Sequence, residues 1–272
     1  MIIDAHQHFW RYNPVRDTWM DAPIRRDFLP DDLAPVLAAN GMDGCVAVQA
    51  DQSEEETQFL LDLADKYHFV KGVVGWVDLR ADNLEERLQH FAQYPKLKGF
   101  RHIVQGEADD RFLLREDFCK GVSLLAKYNF TYDILVYPHQ LPAVVEFVGM
   151  FPGQRFVVDH LAKPDFKKEL SHEWAEHMRA IAHHRNVYCK LSGMVTEADW
   201  QHWKQEDFDP GIEVVLTAFG SSRVMFGSDW PVCLLAAEYA QVKGILESYI
   251  AGFSHSEVGM IMGGNARTFY KL

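Results

Sequence analysis

No apolar run in this sequence approaches the ~20 residues that a membrane-spanning helix needs, so passage through a bilayer by helix is excluded. The first residues carry no basic region followed by an apolar stretch, and we expect no signal peptide. Cysteine is sparse. Cys45, Cys119, Cys189 and Cys233 stand apart with no Cys-x-x-Cys pair, which argues against a disulfide framework and fits reduced thiols in a cytoplasmic protein. Cations are in deficit: 27 Lys and Arg against 39 Asp and Glu give a formal net charge of −12. That balance argues against a nucleic-acid or anionic-membrane surface. It leaves a small-molecule substrate open, because one site can be locally basic on an acidic protein. No Gly-x-Gly-x-x-Gly turn follows the first apolar run, and no linker, repeat or low-complexity tract divides the chain.

What is present is a long alternation. Hydrophobic residues make up 48% of 272 residues, enough for a sizeable core. Apolar, β-rich runs begin near Ile2, Gly44, Val70, Leu97, Thr131, Arg155, Val187 and Arg223. They are expected to end near His8, Gln49, Val77, Ile103, Tyr137, His160, Ser192 and Asp229. Amphipathic helical runs separate them, with start signals such as Ser53/Glu56 and Ser254/Glu257. Continuous apolar strands alternating with helices imply a parallel sheet covered on both faces. Eight such units give an α/β fold, a (β/α)8 TIM barrel, as a single domain over residues 1–272. The competing architecture, a doubly wound open sheet, lacks its phosphate-binding turn here.

A barrel of this kind places chemistry where strands end. The first strand ends in His6-Gln-His8. Residues two apart on a strand share a face, so both imidazoles project together, a common half-site for a metal. The bland reading is two polar residues at a strand exit. The other strand ends supply Gln49 and Asp51, Trp76 and Asp78, Arg101 and His102, then Asp133, Tyr137 and His139. After them come Asp159, His160 and Lys163, Lys190 and Ser192, and Ser228 and Asp229. So many ionisable groups exceed what helix capping requires. Adjacent residues face opposite ways, so one of Arg101 and His102 points into the helix layer. Asp4 is expected on the face of His6, as a partner to it. Lys190 is expected to pair inside the barrel with Asp133 or Asp159. The segment around Trp200 and Trp203 reads equally as a lid or a packed loop.

Five motifs carry a specific resemblance: Asp4-Ala-His6-Gln-His8-Phe-Trp10, Phe100-Arg-His-Ile-Val-Gln105, Val158-Asp-His160-Leu-Ala-Lys163-Pro, Cys189-Lys-Leu-Ser-Gly193 and Phe226-Gly-Ser-Asp229-Trp-Pro231. In this order, from first strand to last, the sequence resembles the amidohydrolase superfamily, and within it the sugar-lactone hydrolases similar to L-fuconolactonase. The resemblance implies metal positions at His6, His8, His160 and Asp229, a His-rich set with one carboxylate suited to a single divalent ion such as zinc. It also implies that this ion is dispensable in some relatives. No lysine stands at the top of strand four, and His139 lies beyond Pro138, so a second metal is not expected. Asp229 is the expected general base, with a metal or His160 stabilising the oxyanion. Arg101 and His102 are expected to grip carbonyl, ring or hydroxyl oxygens. Gln49, Trp10, Trp76 and Trp230 are expected to line the substrate, the indoles stacking on a sugar ring.

The function implied is hydrolysis of an aldonolactone to its sugar acid. Two alternatives stand beside it. One is a metal-dependent decarboxylase of an unsaturated or aromatic acid, which would release CO2. The other is a non-catalytic sugar-acid sensor, which would bind without turnover and has no need of a base beside a metal position. The particular lactone and the oligomeric state are not encoded in any motif.

Overall fold

Each apolar run becomes a parallel strand in the computed structural model, which describes residues 1–272. The strands are β1 (Ile3–Gln7), β2 (Gly44–Val48), β3 (Val70–Gly75), β4 (Leu97–His102), β5 (Thr131–Ile134), β6 (Phe156–Val158), β7 (Val187–Leu191) and β8 (Val224–Phe226). They lie side by side in chain order, every neighbouring pair parallel. The last strand returns to the first through a bridge between Gln7 and Trp230. There the His8 N–H donates to the Trp230 carbonyl at 2.7 Å and the Asp229 N–H to that of His6 at 2.8 Å. The helices that follow the strands are α1 (Pro30–Ala39), α2 (Glu54–Lys66), α3 (Leu84–Phe91), α4 (Glu116–Leu125), α5 (Leu141–Met150), α6 (His172–Ala182), α7 (Asp209–Phe219) and α8 (Tyr239–Tyr249). The chain is a single (β/α)8 barrel.

Several strands are shorter than their apolar runs. β5 stops at Ile134, β6 spans three residues and β8 stops at Phe226. For β6 and β8 the cause is backbone geometry at the carboxyl ends. His160, Leu161, Ala162 and Lys163 all take positive φ, between 53° and 56°, and Asp229 has φ 58°. Non-glycine residues in this left-handed region cost about 1–2 kcal/mol each, and such conformations cluster at functional sites. Here they turn His160 and Asp229 out of the ladder and over the barrel.

β1 also departs from simple alternation. Asp4 pairs with Cys45 but Gln7 pairs with Ala47, so three residues of β1 oppose two of β2. This bulge reverses the facing of the strand midway. Ile3 and Ala5 pack with Val46, Val48, Val74, Val157 and Met225 as the barrel floor. Asp4 points the other way: its carboxylate accepts from Ser228 N (2.9 Å), Ser228 Oγ (2.6 Å) and Tyr239 Oη of α8 (3.0 Å). The expectation that Asp4 shares a face with His6 is therefore corrected, while its carboxylate does partner His6 through the backbone, accepting the His6 N–H at 3.1 Å. Asp4 also ties β1 to the start of the β8 loop. The floor is sealed by Ala266, Phe269 and Tyr270 of a C-terminal helix, α9 (Asn265–Tyr270).

The capping pair ahead of α2 forms in altered shape. Ser53 accepts from the Glu56 N–H at 3.2 Å. Glu56 reaches past Ser53 and takes the Ala50 N–H at 2.5 Å, pinning the loop that follows β2. Burial pushes the Glu56 carboxyl up from an ordinary 4.5 to about 7. The folded chain therefore holds this proton more tightly than the unfolded chain does. The stabilisation is complete below pH 4.5 and is lost as pH rises towards 7. Glu56→Gln keeps the acceptor and removes the titration. Between pH 4.5 and 7.5 the wild type should lose about 3 kcal/mol at most relative to this variant, read from paired denaturation curves. Parallel stability profiles would show that Glu56 does not titrate in this range.

Candidate active site

The strand ends bring four of the expected groups together. His6 Nε2 and His8 Nε2 lie 3.2 Å apart. Asp229 Oδ1 lies 3.3 Å from His8 Nε2, 3.8 Å from His6 Nε2 and 3.9 Å from His160 Nε2. All four side chains are buried at the carboxyl end of the barrel. Two glycines make this convergence fit. A Cβ at Gly227 would lie 2.6 Å from His6 Cβ, and one at Gly193, where φ is 61°, would lie 2.5 Å from His160 Nδ1.

The rings are anchored from behind. His8 Nδ1 faces the Val48 carbonyl at 2.7 Å, and His160 Nδ1 faces Ser192 Oγ at 2.8 Å. Such outer contacts fix ring orientation and tautomer. Burial drives the pKa of both His6 and His160 well below the ordinary value, with Lys190 adding to the effect on His6. Burial also opposes ionisation of Asp229. The imidazoles of His160 and His8 and the nearby Lys163 more than offset it, so the carboxyl sits below its ordinary pKa. The mouth therefore presents an ionised carboxylate beside the neutral rings of His6 and His160 at neutral pH.

These donors suit a metal ion in number, type and spacing. His6, His8 and Asp229 offer ligand atoms within 4.8 Å of one another, as do His6, Asp159 and His160. A tetrahedral shell with ~2.0–2.1 Å bonds has edges of roughly 3.3 Å, close to the separations found. The structure thus contains groups that can hold a metal. His139, the only expected candidate beyond strand five, is exposed and pairs with Asp110 at 3.3 Å on the surface.

A charged layer lies beneath. Lys190 Nζ of β7 is 2.6 Å from Asp133 Oδ2 and 2.9 Å from Asp159 Oδ1, the pairing expected from the sequence. Arg101 points into the barrel and joins this layer. Its Nη1 donates to Asp159 Oδ2 at 3.1 Å, and its Nε and Nη2 donate to Gln49 Oε1 at 3.0 and 2.8 Å. Nη2 also meets the Gln49 carbonyl, and Nη1 lies 3.3 Å from His6 Nε2. Four of the five guanidinium protons face protein oxygens, and the fifth faces the His6 ring. Arg101 thus braces Gln49 and Asp159 beneath the converging groups.

His102 faces the helix layer, where its ring stacks on Phe112 with centroids 4.9 Å apart. Its Nε2 lies 2.7 Å from Glu107 Oε1, and Trp76 Nε1 donates to its Nδ1 at 3.3 Å. It is not part of the converging cluster. Trp76 is partly exposed, whereas Trp10 and Trp230 are buried among Phe9, Phe28 and each other's neighbours. They form wall rather than open stacking platforms. Lys163 and Glu197 pair at 3.2 Å, partly exposed. In the Trp-bearing segment, Trp203 donates to the Ala236 carbonyl and packs on Phe208, while Trp200 is exposed. Two groups had no sequence signal: Tyr270, which reaches Asp133 from the C-terminal helix, and the Val48 carbonyl.

A parallel eight-stranded barrel with His-x-His at the end of its first strand, His after its sixth and Asp after its eighth has the architecture of an amidohydrolase. Residues 3–272 match the amidohydrolase family model, and the chain belongs to that family. It is 41% identical to an L-fucono-1,5-lactonase of Burkholderia multivorans, over 99% of this chain and 96% of that protein. It is 37% identical to an L-fucono-1,5-lactonase of Burkholderia ambifaria, over 99% and 95%. A crystal structure of a B. multivorans amidohydrolase with bound zinc superposes with a TM-score of 0.97 at 40% identity, covering 100% of this chain and 99% of that one.

Proposed function

We propose that this chain is a lactonase that opens the ester ring of a sugar lactone, with L-fucono-1,5-lactone, the substrate named for its Burkholderia relatives, as the leading candidate. The observation that carries this reading is the Asp229 carboxylate, held ionised within 3.3–3.9 Å of three imidazole nitrogens. A water beside Asp229 loses a proton to the carboxylate while its oxygen bonds to the lactone carbonyl carbon. The resulting oxyanion needs a donor. With the Ser192 hydroxyl donating to Nδ1, neutral His160 carries its proton on Nε2 and offers that N–H. The ring C–O bond then breaks, and Asp229 returns its proton to the leaving alkoxide. The sugar acid formed ionises, so one proton reaches solvent per turnover at neutral pH.

A single divalent ion, zinc by the chemistry of its donors, would be held by His6, His8, His160 and Asp229 and would supply carbonyl polarisation and a more acidic water. Arg101 keeps Gln49 and Asp159 in place. Trp76 and the Lys163–Glu197 pair supply the partly exposed surface for sugar hydroxyls, with Trp10 and Trp230 as the wall behind and His102 acting through Trp76. The four cysteines are free and buried, in keeping with a cytoplasmic protein, and no helix is long and apolar enough to cross a membrane.

The test is a pH-indicator assay of purified protein on a panel of aldono-1,4- and 1,5-lactones, with CO2 measured in parallel, before and after chelation. One proton per lactone with no CO2 is expected. Activity lost on chelation and restored by zinc assigns polarisation to the ion; activity that survives assigns it to His160. Release of CO2 from an aromatic acid, or binding of sugar acids with no turnover of any lactone, would replace the lactonase reading.

A further inference from the structure

Lactone hydrolysis turns a neutral molecule into an anion at the barrel mouth, where the Asp229 carboxylate repels it. A cation within reach of the product carboxylate offsets that repulsion. Arg101 and Lys190 are buried in the layer beneath. Lys163 differs from both. Its side chain keeps 16% exposure, and it lies close enough for its charge to act on His160 and Asp229.

The backbone holds Lys163 firmly. The left-handed run that begins at His160 continues through Leu161 and Ala162 to Lys163, and the Lys163 N–H donates to the His160 carbonyl at 2.7 Å. Leu161 and Ala162 are fully buried, and Trp174 Nε1 of α6 donates to the Leu161 carbonyl at 2.8 Å. Strain of this kind persists where function uses it. What the run delivers is an ammonium on the rim beside His160.

Lys163 Nζ lies 3.2 Å from Glu197 Oε1 and 5.4 Å from the centre of the Tyr137 ring. The ordinary reading of such a pair is a tie between the loops after β6 and β7. That tie exists without it, because the Phe166 N–H donates to the Glu197 carbonyl at 3.1 Å. An ammonium has three protons, and Glu197 is its one carboxylate partner. Ion pairs open to water hold weakly, so another carboxylate can take the place of Glu197. We propose that Lys163 receives the carboxylate of the ring-opened sugar acid, with Glu197 as the resident anion that the product displaces. The Tyr137 ring steadies the cation throughout. Glu197 then reclaims the ammonium as the product leaves. The inference rests on the lactonase reading for the identity of its ligand.

The experiment measures binding without turnover, by calorimetry, of L-fuconate and of its neutral amide, L-fuconamide. The proteins are wild type, Lys163→Met, Lys163→Arg and Glu197→Gln, with zinc content held equal so that any carboxylate on an ion contributes alike. Wild type should prefer the acid. Lys163→Met should weaken L-fuconate roughly 10- to 100-fold, the range for a hydrogen bond to a charged group. It should hold L-fuconamide within about three-fold of wild type, which also shows that the variant is folded. Lys163→Arg should keep the preference for the acid. Glu197→Gln frees the ammonium and should tighten L-fuconate several-fold; this arm decides if Lys163→Met does not fold. A Lys163→Met protein with the wild-type preference, a Glu197→Gln protein that binds the acid more weakly, or a wild type with no preference or no binding would overturn the proposal. Lactone turnover is followed on the same preparations. Acid recognition through Lys163 with no turnover of any lactone overturns the lactonase reading alone. Turnover with the acid preference intact in Lys163→Met overturns this proposal alone.

Discussion

Replacing Asp229 by Asn lowers kcat for lactone hydrolysis about 10³-fold and leaves KM nearly unchanged, within the range lost when a positioned general base is removed. The loss belongs to kcat because the carboxylate acts on water and the leaving alkoxide, whose protons move only as the bond changes. The substitution suits the site in other respects. Asn matches Asp in shape and tolerates the left-handed backbone at φ 58°. The Asp229 N–H bond to the His6 carbonyl is a backbone contact and persists. Folding should therefore survive, with a melting temperature within a few degrees of wild type. Steady-state kinetics on the variant decide the matter: a kcat within ten-fold of wild type would remove Asp229 from the role of base.

Gly193→Ala has the second largest expected effect, and it reaches both stability and catalysis. Gly193 sits at φ 61°, and the added Cβ would lie 2.5 Å from His160 Nδ1 and 2.6 Å from its Cγ. Two costs combine: about 1–2 kcal/mol for a side chain in the left-handed region, and about 1–3 kcal/mol for overpacking a buried ring. His160 is the group that must give way, because its neighbours Leu161, Ala162 and Ser192 are buried. Its bond to Ser192 Oγ breaks and its Nε2 moves off Asp229. A displacement on the order of 1 Å at a reacting group costs roughly 10²-fold in rate. We expect a stability loss of about 2–5 kcal/mol with a roughly 10²-fold fall in kcat, measured by denaturation and initial rates on one preparation. Wild-type values for both would mean the loop has room that its glycine does not need.

The barrel was legible because its evidence is local. Eight apolar runs with helices between them are visible in any window, and the helices Pro30–Ala39 and Leu141–Met150 begin where proline and amphipathic spacing place them. The convergence of His6, His8, His160 and Asp229 was legible because a barrel brings all strand ends to one rim. What escaped the sequence depends on partners far away in the chain. Alternation put Asp4 beside His6, but the bulge in β1 is defined by its register with β2, which no local pattern records. Alternation predicted that Arg101 and His102 diverge without saying which turns inward. The acceptors Gln49 and Asp159 draw Arg101 in, and Phe112 receives His102. Tyr270 looked like any aromatic on a terminal helix, and only closure of the floor brings it to Asp133.

The most direct measurement is hydrolysis of L-fucono-1,5-lactone by the wild-type enzyme in H2(18)O, with the enzyme-free rate subtracted and the product analysed by mass spectrometry. Attack of an Asp229-activated water on the carbonyl carbon places one 18O in the carboxylate and none on the ring-derived hydroxyl, with one proton released per molecule and no loss of carbon. Label on that hydroxyl, loss of CO2, or no turnover above background would contradict the account.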